Sequence, residues 1–157
     1  YFIKKKENNF YKVSKRVNIE IKKELRYGLK KFSTYTKFGK KVQKSKKKLT
    51  KIIKDLKKKK YKIIGYGATA KSCTILNYCN IGKKEIDFFY DTTTYKIGKF
   101  LPGSKIKVKK YRKLDSKNID FAYLGAWNFK DEIFKKERKF LRNGGRFITH
   151  TPFPKII

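Results

Sequence analysis

The sequence predicts an α/β fold: a Rossmann-like, doubly wound, mostly parallel five-stranded sheet preceded by a helical arm. Three observations lead there. After Tyr61, short apolar runs of strand length alternate with amphipathic runs of helix length. The first of these, "KIIGYG", breaks at two glycines spaced G-x-G and enters a helix-like stretch, as a tight strand-to-helix turn does. Before Tyr61 the apolar period is that of a helix.

Taken in order, residues 1–19 are polar and basic, with a possible strand at Tyr1–Ile3. From about Ile19 the pattern turns helical, and Gly28 and Gly39 are candidate divisions of the arm. Val42, Leu49, Ile52, Ile53 and Leu56 share one helical face, which predicts an amphipathic helix ending in the solvated run Lys57–Lys60. "KIIGY" reads as a buried strand. "ATAKSCTILNYC" reads as a helix with Ala70, Cys73, Ile75, Leu76 and Cys79 toward a sheet. "EIDFFYD", "IKV" (Ile106–Val108) and "NIDFAYLGA" supply three more strands. "FKDEIFKKERKFLRN" is a helix with Asp131 and Glu132 in its first turn and Arg138, Lys139 and Arg142 near its end, matching the macrodipole. "NGG" stops it and "RFITH" is the fifth strand. The domain reading is a basic, mainly helical arm and linker over 1–60 and a Rossmann-like domain over 61–157.

The chain has 157 residues and a formal net charge of +33, which raises a nucleic-acid surface as a reading. Nearly all the excess is lysine; the arginines are Arg16, Arg26, Arg112, Arg138, Arg142 and Arg146. Arginine is the better fork for phosphates and guanine edges, and the lysines spread along the whole chain. The charge therefore reads as a lysine bias laid over an ordinary fold, with nucleic acid disfavoured as a partner. Cys73 and Cys79 match no zinc-ligand spacing and, with one histidine, imply no metal site; they read as free thiols of a cytoplasmic protein. No apolar run approaches the roughly 18–20 residues that span a membrane, and "YFIKKKENNFYK" lacks the apolar core of a signal peptide. With no methionine anywhere, the chain is expected to be a fragment.

Four motifs carry chemistry. Gly65, Gly67 and Ala70 form G-x-G-x-x-A, in which the first glycine permits the turn, the second permits close approach to a pyrophosphate, and the third small residue permits helix packing. Asp91 ends the next strand 24 residues beyond Gly67, near the ~20 of a ribose-binding acid; a loop-capping role is the alternative. "DTTTYKIGKFLPG" follows that strand, where Lys96 and Lys99 are placed to meet phosphate and Tyr95 or Phe100 to stack on a base or sugar, unless the loop packs on the sheet. "GAWNF" follows another strand; Trp127 reads as a core plug and Asn128 as the N-cap of the next helix, with a ligand-facing role as the alternative. Lys71 is either a phosphate contact or a surface lysine. His150, a lone histidine, reads as structural.

Together, "GYGATAKSCTILNYCNIG", "DTTTYKIGKFLPGSKIKV", "AWNFKDEI" and "NGGRFITHTPFPKII" resemble the C-terminal domain of bacterial sugar C-methyltransferases. The resemblance runs from about Glu24 to Ile157. It implies a larger enzyme with an N-terminal zinc-binding region, a central domain that binds S-adenosylmethionine (SAM), and this Rossmann-like C-terminal domain. A nucleotide-linked keto-deoxysugar is then expected between the central and C-terminal parts. The catalytic machinery and SAM belong to the central part, so no catalytic residue and no cofactor fall to this chain. Ser72-Cys73 stands where the family has Gly-Asn, Thr92-Thr93-Thr94 where it has Arg/Lys-Asn-Pro, and His150 and Phe153 where other residues are usual. By position, the substrate-binding candidates are Gly65, Tyr66, Gly67, Ala68, Lys71, Asp91, Tyr95, Lys99, Pro102, Gly103, Trp127 and Asn128, several of them as loop supports. The rival readings are a stand-alone Rossmann-like nucleotide-binding module or NAD-dependent enzyme, and a basic nucleic-acid-binding protein.

Overall fold

The computed structural model describes residues 3–157. The strand read at Tyr1–Ile3 thus falls outside the described residues except for Ile3, which is irregular. The polypeptide forms two compact units, the first reaching Val42 and the second spanning Gln43–Ile157.

In the first unit, α1 (Lys15–Tyr27) starts at Ser14, whose side chain accepts the Arg16 N–H, and stops at Gly28, which takes the left-handed conformation at φ 84°. None of its residues is buried, and Val17, Ile21 and Leu25 are exposed along one face. Helix α2 (Phe32–Lys58) then begins. Gly28 therefore divides the arm as expected, whereas Gly39 lies inside α2, where its missing Cβ faces open space and costs helix propensity only.

The second unit is built on one six-stranded sheet: β1 (Ile63–Tyr66), β2 (Phe89–Asp91), β3 (Val108–Lys110), β4 (Phe121–Leu124), β5 (Arg146–Thr149) and β6 (Lys155–Ile156), in the order β3-β2-β1-β4-β5-β6. The first five strands run parallel and β6 is antiparallel to β5. Four of the expected strands are present within their apolar runs, and the third, expected over Ile106–Val108, is shifted to Val108–Lys110. The sixth was not foreseen, because two residues carry no period. The reversal of strand order falls between β1 and β4, and in open α/β sheets that is where a ligand crevice forms.

Period-two alternation puts Ile63, Phe89, Tyr123 and Ile148 on one face and Ile64, Tyr66, Ala122, Leu124 and Phe147 on the other. Leu49, Ile53 and Leu56 of α2 and Leu76 and Cys79 of α3 (Ala70–Cys79) cover the first face. Ile133 of α4 (Lys130–Lys136), Phe140 of α5 (Arg138–Arg142), and Leu114 and Ile119 cover the second. The single helix expected over 129–143 is thus two, broken at Glu137. Between β2 and β3, and between β3 and β4, the crossovers are loops without an α-helix, a departure from regular double winding.

Candidate functional site

The turn after β1 is shaped by close contacts. A Cβ at Gly65 would lie 2.3 Å from the Phe89 ring, and at Gly67 (φ +85°) it would lie 2.6 Å from the Ala126 Cβ. Gly67 thus combines a left-handed backbone with a tight approach to the β4 loop. The expected helix-packing residue, Ala70, is exposed; the fully buried one is Ser72. Its Oγ donates to the Gly67 carbonyl at 3.2 Å and would meet a Cβ on Gly125 at 2.2 Å. Thr69 caps α3, its Oγ1 accepting the Ser72 N–H at 3.1 Å.

The polar groups of this loop are satisfied within it and by the end of β2 with the loop that follows. The Thr69 N–H donates to the Gly67 carbonyl at 3.0 Å. Asp91 is buried, and its carboxylate accepts the Ala68 N–H at 2.8 Å and the Thr93 N–H at 2.7 Å. Lys96 donates to the Ala68 carbonyl at 2.9 Å and lies 3.5 Å from Asp91 Oδ2. Burial pushes the Asp91 carboxyl up. The hydrogen bonds from Thr93 and Ala68, with the Lys96 charge, outweigh it and hold the group below the usual carboxylate range. Asp91 is thus an anion held between the two loops, its Oδ2 engaged by Ala68 and Lys96 and its Oδ1 by Thr93.

Beside the loop, a cleft of about 270 Å³ opens over the carboxyl ends of the strands. Tyr66, Gly67 and Asp91 line it from the predicted set, together with Thr93, Lys96, Tyr111, Phe129, Glu132 and Lys136. The walls come from the segments following β1, β2, β3 and β4, at the point where strand order reverses. A neighbouring groove of about 300 Å³ takes Ala68, Tyr95, Lys99 and Pro102 with Phe100 and Cys73.

The other candidates lie elsewhere. Gly65 is buried under Phe89. Gly103 (φ +75°) packs against the Asn77 side chain, which donates to the Pro102 carbonyl at 3.1 Å. Lys71, Trp127 and Asn128 form their own group, with the Lys71 ammonium 3.0 Å from Asn128 Oδ1 and 5.2 Å from the Trp127 ring centroid. Asn128 is therefore no N-cap: Phe129 holds the cap position of α4 without a side-chain bond, because a 3₁₀ turn over Trp127–Phe129 intervenes. Trp127 is half-buried at the edge of the second core face. A third groove, of about 480 Å³, runs along α2 between Lys46, Lys47, Lys51, Lys54 and Lys58, away from the strand ends.

The group that sequence reasoning missed is Glu137. It is 2% exposed. Its Oε1 accepts from the Tyr66 hydroxyl at 3.1 Å and the Tyr111 hydroxyl at 2.6 Å, and its Oε2 accepts the Leu114 N–H at 3.0 Å. Burial, followed by the Glu137 bond and charge, pushes the Tyr111 phenol up to about 12. Burial, then the Glu137 charge, raises Tyr66 further still. The only sequence sign was a charge amid a helical run at a position whose neighbours Ile133 and Phe140 are core. His150 is buried, its Nδ1 2.9 Å from the Tyr123 hydroxyl, and burial lowers its pKa. No helix is long and apolar enough to cross a membrane among the described residues.

The chain is an α/β domain whose strand-end loops enclose a cleft at the reversal of strand order, the place where open α/β sheets form their crevices. The chain belongs to the family described as C-methyltransferase C-terminal domain, which it matches over residues 1–152. It is 43% identical over 95 residues to the C-methyltransferase NovU of Streptomyces niveus, a match covering 60% of this chain and 23% of that protein. The chain thus corresponds to less than a quarter of its relative's length.

Proposed function

We propose that this chain is the substrate-binding domain of a SAM-dependent C-methyltransferase acting on nucleotide-linked keto-deoxysugars. The reading is carried by the cleft at the strand-order reversal, in a domain of the C-methyltransferase family. Lys96 is engaged by Ala68 and Asp91. Lys136 is exposed and belongs to none of the ion pairs found among the described residues. It is the cation best placed to meet a diphosphate, with Tyr90, Tyr111 and Phe129 beside it for sugar or base.

The chemistry assigned to the whole enzyme is proton removal next to a keto group, followed by transfer of a methyl group to that carbon. SAM supplies the electrophilic methyl. The residues here do not fit a nucleotide cofactor of their own, since the Ala68 and Thr69 N–H groups that would meet its pyrophosphate are already bonded to Asp91 and Gly67. That also weighs against the NAD-dependent alternative. No step of methyl transfer is assigned to these residues; they bind and orient.

Titration calorimetry with nucleoside-diphosphate sugars tests this. Binding is expected, and Lys136→Gln should weaken it several-fold, because one charge-assisted contact to phosphate is lost. Gly67→Val, which drives a side chain into the Ala126 loop, should weaken it more. An absence of binding, or equal affinity for all three proteins, sinks the proposal. NADH mixed with the chain is expected to show no change in fluorescence.

A further inference from the structure

A carboxylate only accepts hydrogen bonds, and a phenol has one O–H to give. Tyr66 and Tyr111 both give theirs to Glu137 Oε1. Glu137 cannot turn away, because its Oε2 holds the Leu114 N–H and the residue is 2% exposed. What remains on each phenol oxygen is lone-pair density, so toward any third group it can only accept. Both line the cleft, but Tyr66 is buried there, whereas Tyr111 is half-buried and the more accessible of the two. The Lys136 ammonium stands 3.7 Å from the Tyr111 ring centroid. Its positive charge disfavours a second ammonium there and leaves a neutral hydroxyl as the matching donor.

We infer that Tyr111, oriented by Glu137, is a specificity-determining acceptor that reads a hydroxyl on the sugar of the bound nucleotide. This rests on the sugar-nucleotide reading of the cleft. Glu137 is then a positioning residue, buried out of ligand reach and acting through the phenol. A ligand offering a keto or ether oxygen at that point would set lone pair against lone pair and be disfavoured.

The test uses the whole chain and two probe pairs: uridine diphosphate with uridine-diphosphoglucose, and thymidine diphosphate with thymidine-diphosphoglucose. Calorimetry measures how much more tightly each sugar conjugate binds than its bare diphosphate. Tyr111→Phe should cut that preference about tenfold, the worth of one hydrogen bond, while leaving the diphosphate affinity alone. Lys136→Gln should weaken both members of a pair equally. Glu137→Gln keeps Tyr111 but supplies an amide that can donate to it, so the same preference should fall with Tyr111 still present; a purely structural role would move only the melting temperature. Should Glu137→Gln fail to fold, Tyr111→Phe, which retains the ring, decides alone. An unchanged preference in folded Tyr111→Phe overturns the inference and leaves the binding proposal standing. So does a wild type that binds conjugate and diphosphate equally. A wild type that binds neither overturns both.

Discussion

The glycine turn and the Glu137 cluster both adjoin the C-terminal end of β1, and they differ in what their polar groups leave free. In the turn, the Ala68, Thr69 and Ser72 N–H groups find partners within the turn or in the Asp91 carboxylate at the end of β2, and the Lys96 ammonium from the loop after β2 closes on the Ala68 carbonyl. In the cluster, Glu137 is satisfied by residues from two segments, β1 and the connection after β3, and one of them, Tyr111, is half-buried at the cleft with acceptor capacity left. The turn that looks like a phosphate loop has its backbone N–H groups at Ala68 and Thr69 already bonded. The Tyr66 and Tyr111 hydroxyls beside the cleft are oriented by a carboxylate in the middle of what reads as one helix.

The largest effect that would break this contrast is at Glu137. Glu137→Leu leaves the Tyr66 hydroxyl and the Leu114 N–H buried without an acceptor. Unpaired buried donors cost about 1–3 kcal/mol each, so a loss of about 3 kcal/mol or more is expected in urea denaturation. An unchanged midpoint would mean that the cluster does not organise this side of the cleft.

Next comes Gly65→Ala. Its Cβ would sit 2.3 Å from Phe89, a fully buried ring, and overpacking of this kind costs about 1–3 kcal/mol. Phe89→Leu in the same chain should recover part of the loss, giving a non-additive cycle. Additive losses would show that the glycine is required for something other than that ring.

Asp91 has a smaller and pH-dependent role. Its folded-state pKa is depressed below 3.8. Its stabilisation is therefore present above 3.8 and is lost as pH falls through the lower folded value. Asp91→Asn should cost about 1–2 kcal/mol at neutral pH and flatten the acid limb of the stability curve. An acid limb as steep as that of the wild type would place the titrating group elsewhere. The buried His150, lowered from 6.5, adds a gentler decline that begins as pH drops below 6.5.

How much of this was legible follows from the range of the interactions. Strand runs, the αL stop at Gly28, and the Gly65 and Gly67 turn are local in sequence, and all were readable. The 3₁₀ turn that displaces Asn128 from the cap was not, because "WNF" then "KDE" fits a cap equally well one register earlier. Glu137 was unreadable because its acceptor role depends on Tyr66, Tyr111 and Leu114, which are 71, 26 and 23 residues away. In a chain this rich in lysine, a single acid in "KKERK" looks like compensation on a solvated face. Lys136 was hidden for the same reason: one cation among 45 carries no signal until the fold sets it on a cleft.

The smallest expected effect on stability sharpens the comparison most finely. Lys71 is exposed, and its bonds to Asn128 and the Trp127 ring are surface contacts. Lys71→Ala should therefore change stability by no more than about 0.5 kcal/mol. Its place after the glycine turn nevertheless makes it a ligand candidate. If Lys71 belongs with the architecture, the substitution leaves nucleoside-diphosphate-sugar affinity within twofold. If it belongs with the ligand-facing side chains, affinity falls while the melting temperature holds, and the fall shrinks with added salt as counter-ions screen the lost charge. Calorimetry at two salt concentrations therefore assigns Lys71 to one side of the divide that separates Asp91 from Tyr111.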